Sequence, residues 1–135
     1  MGNDVLINKI ETIERCIKRI QEDYDEDPNN LKNFTIQDAI LMNIQRACET
    51  SIDLAAYIIA RKKLGVPQNS RDVFELLFQA DLLDQKITER MKAMVGFRNV
   101  AVHDYQKINL SIVQQIIEKH LDDLKKFGQI ILKLQ

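Results

Sequence analysis

The sequence predicts an all-α fold, an up-and-down bundle of about five helices, and three observations carry that expectation. Apolar residues recur three and four apart over long stretches, the period of a helix face and not of a strand. Breakers are scarce, with four glycines and two prolines, and both prolines (Pro28 and Pro67) fall between periodic stretches. Good helix formers such as Leu, Lys, Glu and Gln are abundant, whereas aromatic residues make up only 6%. At 135 residues, 45% hydrophobic and 29% charged, the chain has the size and balance of a single domain over residues 1–135 with a sizeable core.

The elements follow in order. Leu6, Ile10, Ile13, Ile17, Ile20 and Tyr24 are spaced 4-3-4-3-4, a heptad-like seam along a first helix of about 20 residues. The acidic run EDYDEDPNN (22–30) ends it in a solvated loop, because Pro28 and two asparagines resist continuation. Thr35 to Asp38 reads as a capping box, with Phe34 placed as a hydrophobic staple. A second helix then runs to about Leu64 on Ile36, Ile40, Ile44, Ala47, Cys48, Ile52, Ala55 and Ile59. Arg61, Lys62 and Lys63 suit its negative end before Gly65 and Pro67. Ser70 reads as the cap of a short third helix that turns Val73, Leu76 and Leu77 inward. A bend at Asp81–Asp84 leads into a fourth helix. Asn109 or Ser111 opens a fifth, through Val113, Ile117, Leu121, Leu124, Phe127, Ile131 and Leu134.

Several classes are excluded or disfavoured. The longest apolar run, LAAYIIA (54–60), is far short of the roughly 20 residues a membrane span needs. The N-terminus has Asp4 and Lys9 where a signal peptide requires an apolar run, so a cytoplasmic protein is expected. Cys16 and Cys48 both lie on apolar helix faces and read as buried free thiols. The net charge of −1 provides no global pull onto nucleic acid, so any RNA contact must rest on a local patch.

That patch lies in GFRNVAVHDY, residues 96–105. On the fourth helix Ile87, Met91, Met94, Val95 and Val102 form an apolar stripe, and Arg98 and Tyr105 index onto the same stripe. An arginine there is costly unless an anion or a partner surface meets it. His103, five residues after Arg98, points about 140° away and shares a face with Lys92, Gly96 and Asn99. One straight helix therefore does not aim both groups at one atom. Either the helix breaks or tightens after Ala101, or a second protomer contributes across a two-fold axis. The side chains suit phosphodiester chemistry: an imidazole to move a proton, a guanidinium to hold phosphate, and Asn99 one turn before His103 to set its tautomer. A symmetric homodimer would supply the second histidine that acid–base cleavage calls for.

Arg98-Asn-Val-Ala-Val-His103-Asp-Tyr105 resembles the R-x4-H-x-Y motif of the HEPN superfamily, in the form found in HepT-like toxins. The helix order and the stretch DAILMNIQRACETSIDLAAYII (38–59) are similar to that family too, so the likeness covers nearly the whole chain. The resemblance implies a metal-independent ribonuclease toxin without a cofactor, active at a homodimer interface. In it Arg98 and His103 are catalytic and Asn99 and Tyr105 support them. It also implies a cognate minimal-nucleotidyltransferase antitoxin that silences the toxin by adenylylating Tyr105. Negative charge and bulk beside Arg98 would then occupy the place of RNA phosphate.

Other charged and titratable residues stand beside the motif. Glu49 and Asp53, four apart, are candidates to line the cleft or orient Arg98, or else form a solvated face or a structural ion pair. Lys92 is a third candidate to line the cleft, and with Lys86 and Arg90 it offers cationic charge for guiding RNA or for an ordinary solvated helix face. His120 sits on the fifth helix's apolar seam as a core-edge residue. No Glu-x-x-His pair, Cys-x-x-Cys or phosphate-binding glycine loop occurs, so no metal set is expected. Two other functions compete. One is a non-catalytic HEPN dimer that binds nucleotide or substrate for a nucleotidyltransferase partner. The other, a phosphorelay bundle, is disfavoured because Gln106 and Lys107 follow the histidine region with no glycine after them.

Overall fold

The computed structural model describes residues 2–134, and Met1 and Gln135 of the expected 1–135 unit lie outside the described residues. α1 (Gly2–Tyr24) buries its whole expected seam, Leu6, Ile10, Ile13, Ile17, Ile20 and Tyr24, together with Cys16. Asp25 and Glu26 then adopt left-handed backbone, with φ of 51° and 54°, which reverses the chain. Asp27 caps a 3-10 turn, Pro28–Lys32, by accepting from the Asn29 N–H. Pro28 stands in the first turn of that element, where a missing N–H costs nothing.

α2 (Phe34–Lys62) is the central helix, packed along α1 and touching α3, α4 and α6. Its start differs from the expected capping box. Asn33 is the cap, accepting from the Ile36 N–H at 3.1 Å. The helix begins at Phe34, whose ring is 78% exposed and staples nothing. An asparagine one residue ahead of the box satisfies the same orphan donors, and the earlier start leaves Asp38 past the first turn. Lys63, left-handed at φ 55°, closes α2 just before Gly65.

α3 (Asp72–Gln79) is also capped differently. The Asn69 carboxamide accepts from the Asp72 N–H at 3.0 Å, which releases Ser70 from that duty. Val73, Phe74 and Leu77 are buried, and Leu76 is half-buried. Phe74 meets Phe127 edge to face with ring centroids 5.3 Å apart.

α4 (Gln85–His103) is capped by Asp84, which accepts from the Ile87 N–H at 2.9 Å. Ile87, Met91, Met94 and Val95 face inward as expected. Val102, one heptad after Val95, is 42% exposed, because the covering elements give out at the last turn and Ala101 is the residue buried there. Asp104 ends the helix, and a 3-10 turn, Tyr105–Lys107, follows.

The expected fifth helix is one helical run of three parts: α5 (Leu110–Gln115), a π turn (Ile116–His120) and α6 (Leu121–Lys133). The extra residue of a π turn shifts the register, so Ile116 and Ile117 are both buried before Leu121, Leu124, Phe127 and Ile131 resume the seam. The Tyr24 hydroxyl donates to the Glu118 carboxylate in that turn and ties the end of α1 to it. Asp123, almost wholly buried, accepts from Arg90 of α4 at 3.0 Å and lies 3.1 Å from His120 Nδ1. Buried apolar side chains from α1 to α6 form one contiguous cluster.

Candidate active site

α4 remains α-helical through His103, and the Asp104 N–H still reaches the Val100 carbonyl at 2.8 Å. Of the two alternatives, a break directly after Ala101 is not seen, and the helix ends two residues later at His103. Arg98 and His103 keep the divergence of an unbroken helix, about 140°. Arg98 is half-buried and its Nη2 donates to Ser70 Oγ at 2.9 Å. Its Nε is buried with no protein acceptor. Such a donor costs on the order of 1–3 kcal/mol when left unpaired. His103 is exposed on the other side of the helix end.

Beside Arg98 lies an open groove walled by Asn69, Ser70, Arg71 and Asn99. The Arg71 guanidinium rests on α4 at Gly96, where a Cβ would fall 2.6 Å from its Nη2. Asn99 lines this groove as well as lying one turn from His103. Behind the site, burial pushes the Cys48 thiol up to about 12, and its Sγ contacts the Met94 carbonyl at 3.5 Å.

Tyr105 leaves the helix before its expected stripe position applies. It sits in the 3-10 turn, 47% exposed, and its hydroxyl donates to the Asp38 carboxylate. That carboxylate, together with partial burial, pushes the phenol up to about 12. Asp38, read from sequence as part of a cap, is the partner of the motif tyrosine.

The three cleft-lining candidates lie elsewhere than in this groove. Lys92 pairs with Glu75 of α3, whose carboxyl it holds below the usual range. Asp53 is exposed and faces Lys9 of α1 at 3.9 Å. Glu49 is exposed, and the residue that orients Arg98 is Ser70. His120 is a core-edge residue held by Asp123. Among the described residues no group of three His, Cys, Asp or Glu side chains is placed to hold a metal ion, and no helix is long and apolar enough to cross a membrane.

Sequence reasoning missed Ser70, Arg71 and Asp38 as neighbours of the motif. One signal was available: Gly96, inside a helix where glycine costs about 1 kcal/mol relative to alanine, marks a close approach by another group.

The R-x4-H-x-Y motif thus sits on a six-segment helical frame of defined order, and comparison with known proteins matches both. Residues 10–131 fit the model of a family described as ribonuclease HepT-like. The chain belongs to the HepT-like ribonuclease family. A HepT-like relative, the mRNA nuclease HepT of Shewanella oneidensis, is 49% identical over 129 residues, 96% of this chain and 97% of that one. Among solved structures, a tri-AMPylated HEPN toxin of Shewanella oneidensis in complex with an MNT antitoxin superposes with a TM-score of 0.91 at 49% identity, covering 98% of both chains. A toxin–antitoxin structure with AMP-PNP gives 0.92 at 48% identity over 98% of this chain and 99% of that one. The all-α HEPN frame and the ribonuclease class expected from the motif are those of the HepT-like family.

Proposed function

We propose that this HepT-like ribonuclease is the toxin of a toxin–antitoxin pair and that it cleaves RNA in a cleft shared by two copies of the chain. Arg98 and His103 are its catalytic residues. One observation carries the reading: Arg98 is fixed inward by Ser70 while His103 stands exposed and five residues further along one unbroken helix. A two-fold axis at the end of α4 would bring one copy's guanidinium toward its mate's imidazole. Exposed Val100, Val102 and Ile112 flank that end, and an apolar groove between α4 and α5, lined by Ala93, Phe97, Val100, Ile108 and Ile112, continues it. A surface of this kind favours burial against a second copy.

In the shared cleft, one His103 takes the proton of a ribose 2′-hydroxyl as its oxygen attacks the adjacent phosphorus. The P–O5′ bond breaks, and the second His103 protonates the departing 5′-oxygen. Arg98 stabilises the charge that develops on the phosphorane, and its inward anchor keeps the guanidinium in place before substrate arrives. Asn99 supports the pair by lining the groove.

Silencing follows from the position of Tyr105, exposed and close to the end of α4. A minimal-nucleotidyltransferase antitoxin would transfer an adenylyl group from ATP to its phenol oxygen, with pyrophosphate leaving and the phenolic proton lost. The added phosphate carries negative charge to the mouth of the cleft, where RNA phosphate would otherwise bind. The likeness to an AMPylated toxin supports this reading.

The decisive experiment compares RNA cleavage by the parent with His103→Ala and Arg98→Ala. Each substitution should lower the rate by a factor of about 10²–10⁴. Cleavage by His103→Ala at the parent's rate would overturn the assignment. Light scattering should give twice the chain mass, and intact-mass analysis after co-expression with the antitoxin should find adenylate on the parent and none on Tyr105→Phe.

A further inference from the structure

Two arginines lie where the connection between α2 and α3 crosses α4, on different faces of that helix. Arg98 reaches Ser70. Arg71, the next residue in the chain, lies back across Gly96, two positions before Arg98. Neither arginine is in a salt bridge among the described residues, in contrast with Arg90, paired to Asp123, and Lys92, paired to Glu75. The nearest acid in sequence, Asp72, is engaged elsewhere, accepting from the Gln68 N–H at 2.9 Å. The groove at that crossing is walled by Asn69, Ser70, Arg71 and Asn99, side chains that can all donate hydrogen bonds, with no acid among them. The buried Nε of Arg98 still lacks an acceptor. An exposed guanidinium beside such donors, with no counter-ion, is suited to take a phosphate oxyanion.

We propose that Arg71 is a second phosphate-binding residue of this ribonuclease, seated on α4 by the missing side chain of Gly96, and that the groove it forms with Asn69, Ser70 and Asn99 holds the RNA backbone beside Arg98. The proposal rests on the ribonuclease reading for its ligand. It adds a residue outside the motif and on a different element, the connection between α2 and α3. RNA would enter over that connection and reach Arg98 already gripped by Arg71. The glycine then has a definite function: any larger residue at position 96 lifts the guanidinium off the helix and out of register with the groove.

The test separates binding from cleavage. A labelled single-stranded RNA of mixed sequence is titrated by fluorescence anisotropy onto the His103→Ala chain, which cannot consume it, over a series of salt concentrations. Adding Arg71→Ala should weaken binding about tenfold at low salt and flatten the plot of log K against log salt by about 0.7, one phosphate contact on a single strand. Arg71→Lys should recover much of the affinity, and Gly96→Ala should lose part of it. With His103 intact, Arg71→Ala should raise KM far more than it lowers kcat. Thermal melts on each variant establish that the fold is kept. An Arg71→Ala chain with the parent's affinity, salt slope and KM would overturn the proposal while leaving the ribonuclease reading in place. If His103→Ala instead cleaves like the parent, the catalytic reading falls, and the same anisotropy series run with 2′-O-methyl RNA, which has no 2′-hydroxyl to attack, still decides Arg71. Absence of any RNA binding at low salt would overturn the subsite.

Discussion

Tyr105 donates its phenolic hydrogen to the carboxylate of Asp38, tying the turn after α4 to α2 across 67 positions of sequence. The bond fixes where the motif tyrosine stands and gives its oxygen a proton acceptor. Removing that acceptor has a direct readout. The Tyr105 phenol, held up to about 12 chiefly by this bond, should fall back toward 10 in Asp38→Asn. An ultraviolet titration, with Tyr105→Phe as the subtraction, measures it. An unchanged midpoint would mean that the carboxylate does not act on the ring.

Alkaline stability should respond to two such phenols. Tyr24, buried and bonded to Glu118, is also pushed up to about 12, burial being the larger cause. A phenol that keeps its proton longer when folded stabilises the chain below its unfolded value of 10. That contribution disappears as pH rises through the folded value near 12, because the unfolded chain then binds fewer protons. Urea midpoints should therefore decline between pH 10 and pH 12, and Tyr24→Phe should flatten the decline. A flat parent profile over that window would contradict the linkage.

Asp123 holds Arg90 and His120 from a position with its side chain 2% exposed. Asp123→Ala strips a half-buried guanidinium of its partner and should destabilise the fold by about 3 kcal/mol, toward the low end for broken buried pairs because Arg90 can still reach water. Denaturant unfolding checks the value, and a loss below about 1 kcal/mol would place this pair with ordinary surface bridges.

Gly96→Ala should have effects of opposite sign on stability and on RNA binding. Alanine in place of glycine within α4 favours the helix by up to about 1 kcal/mol, and the new methyl meets only the far end of the flexible Arg71. A raised unfolding midpoint is expected. A lowered one would show that Arg71 cannot move aside.

Both thiols should be inert in the native chain. Burial is the main cause raising Cys16 and pushing Cys48 up to about 12, so little thiolate exists at neutral pH. Maleimide should label neither residue quickly until urea is added, and fast native labelling of Cys48 would be inconsistent with its packing against Met94.

The helices were legible because their signal is local. The seam from Leu6 to Tyr24 repeats at the period of a helix, so the residues that α1 buries are apparent before any partner is known. The motif was legible for a similar reason, since Arg98, His103 and Tyr105 are neighbours in sequence. Caps were read less well. Asn33 and Asn69 took over positions assigned to Thr35 and Ser70, because several polar residues in a row can satisfy the same orphan N–H groups, and packing of the following helix chooses among them. The π turn at Ile116–His120 was invisible in a seam whose spacing tolerates one extra residue.

By itself, then, the amino-acid order determined that this chain is helical, which face of each helix turns inward, and which eight residues carry the family's motif. Tertiary structure alone decided that Ser70 anchors Arg98 from 28 positions away, that Asp38 meets Tyr105, and that Arg71 lies on Gly96. Periodicity is a property of one segment in isolation, whereas these contacts exist only once separate segments have been packed together, and no spacing along the chain encodes which side chains will face each other across that gap.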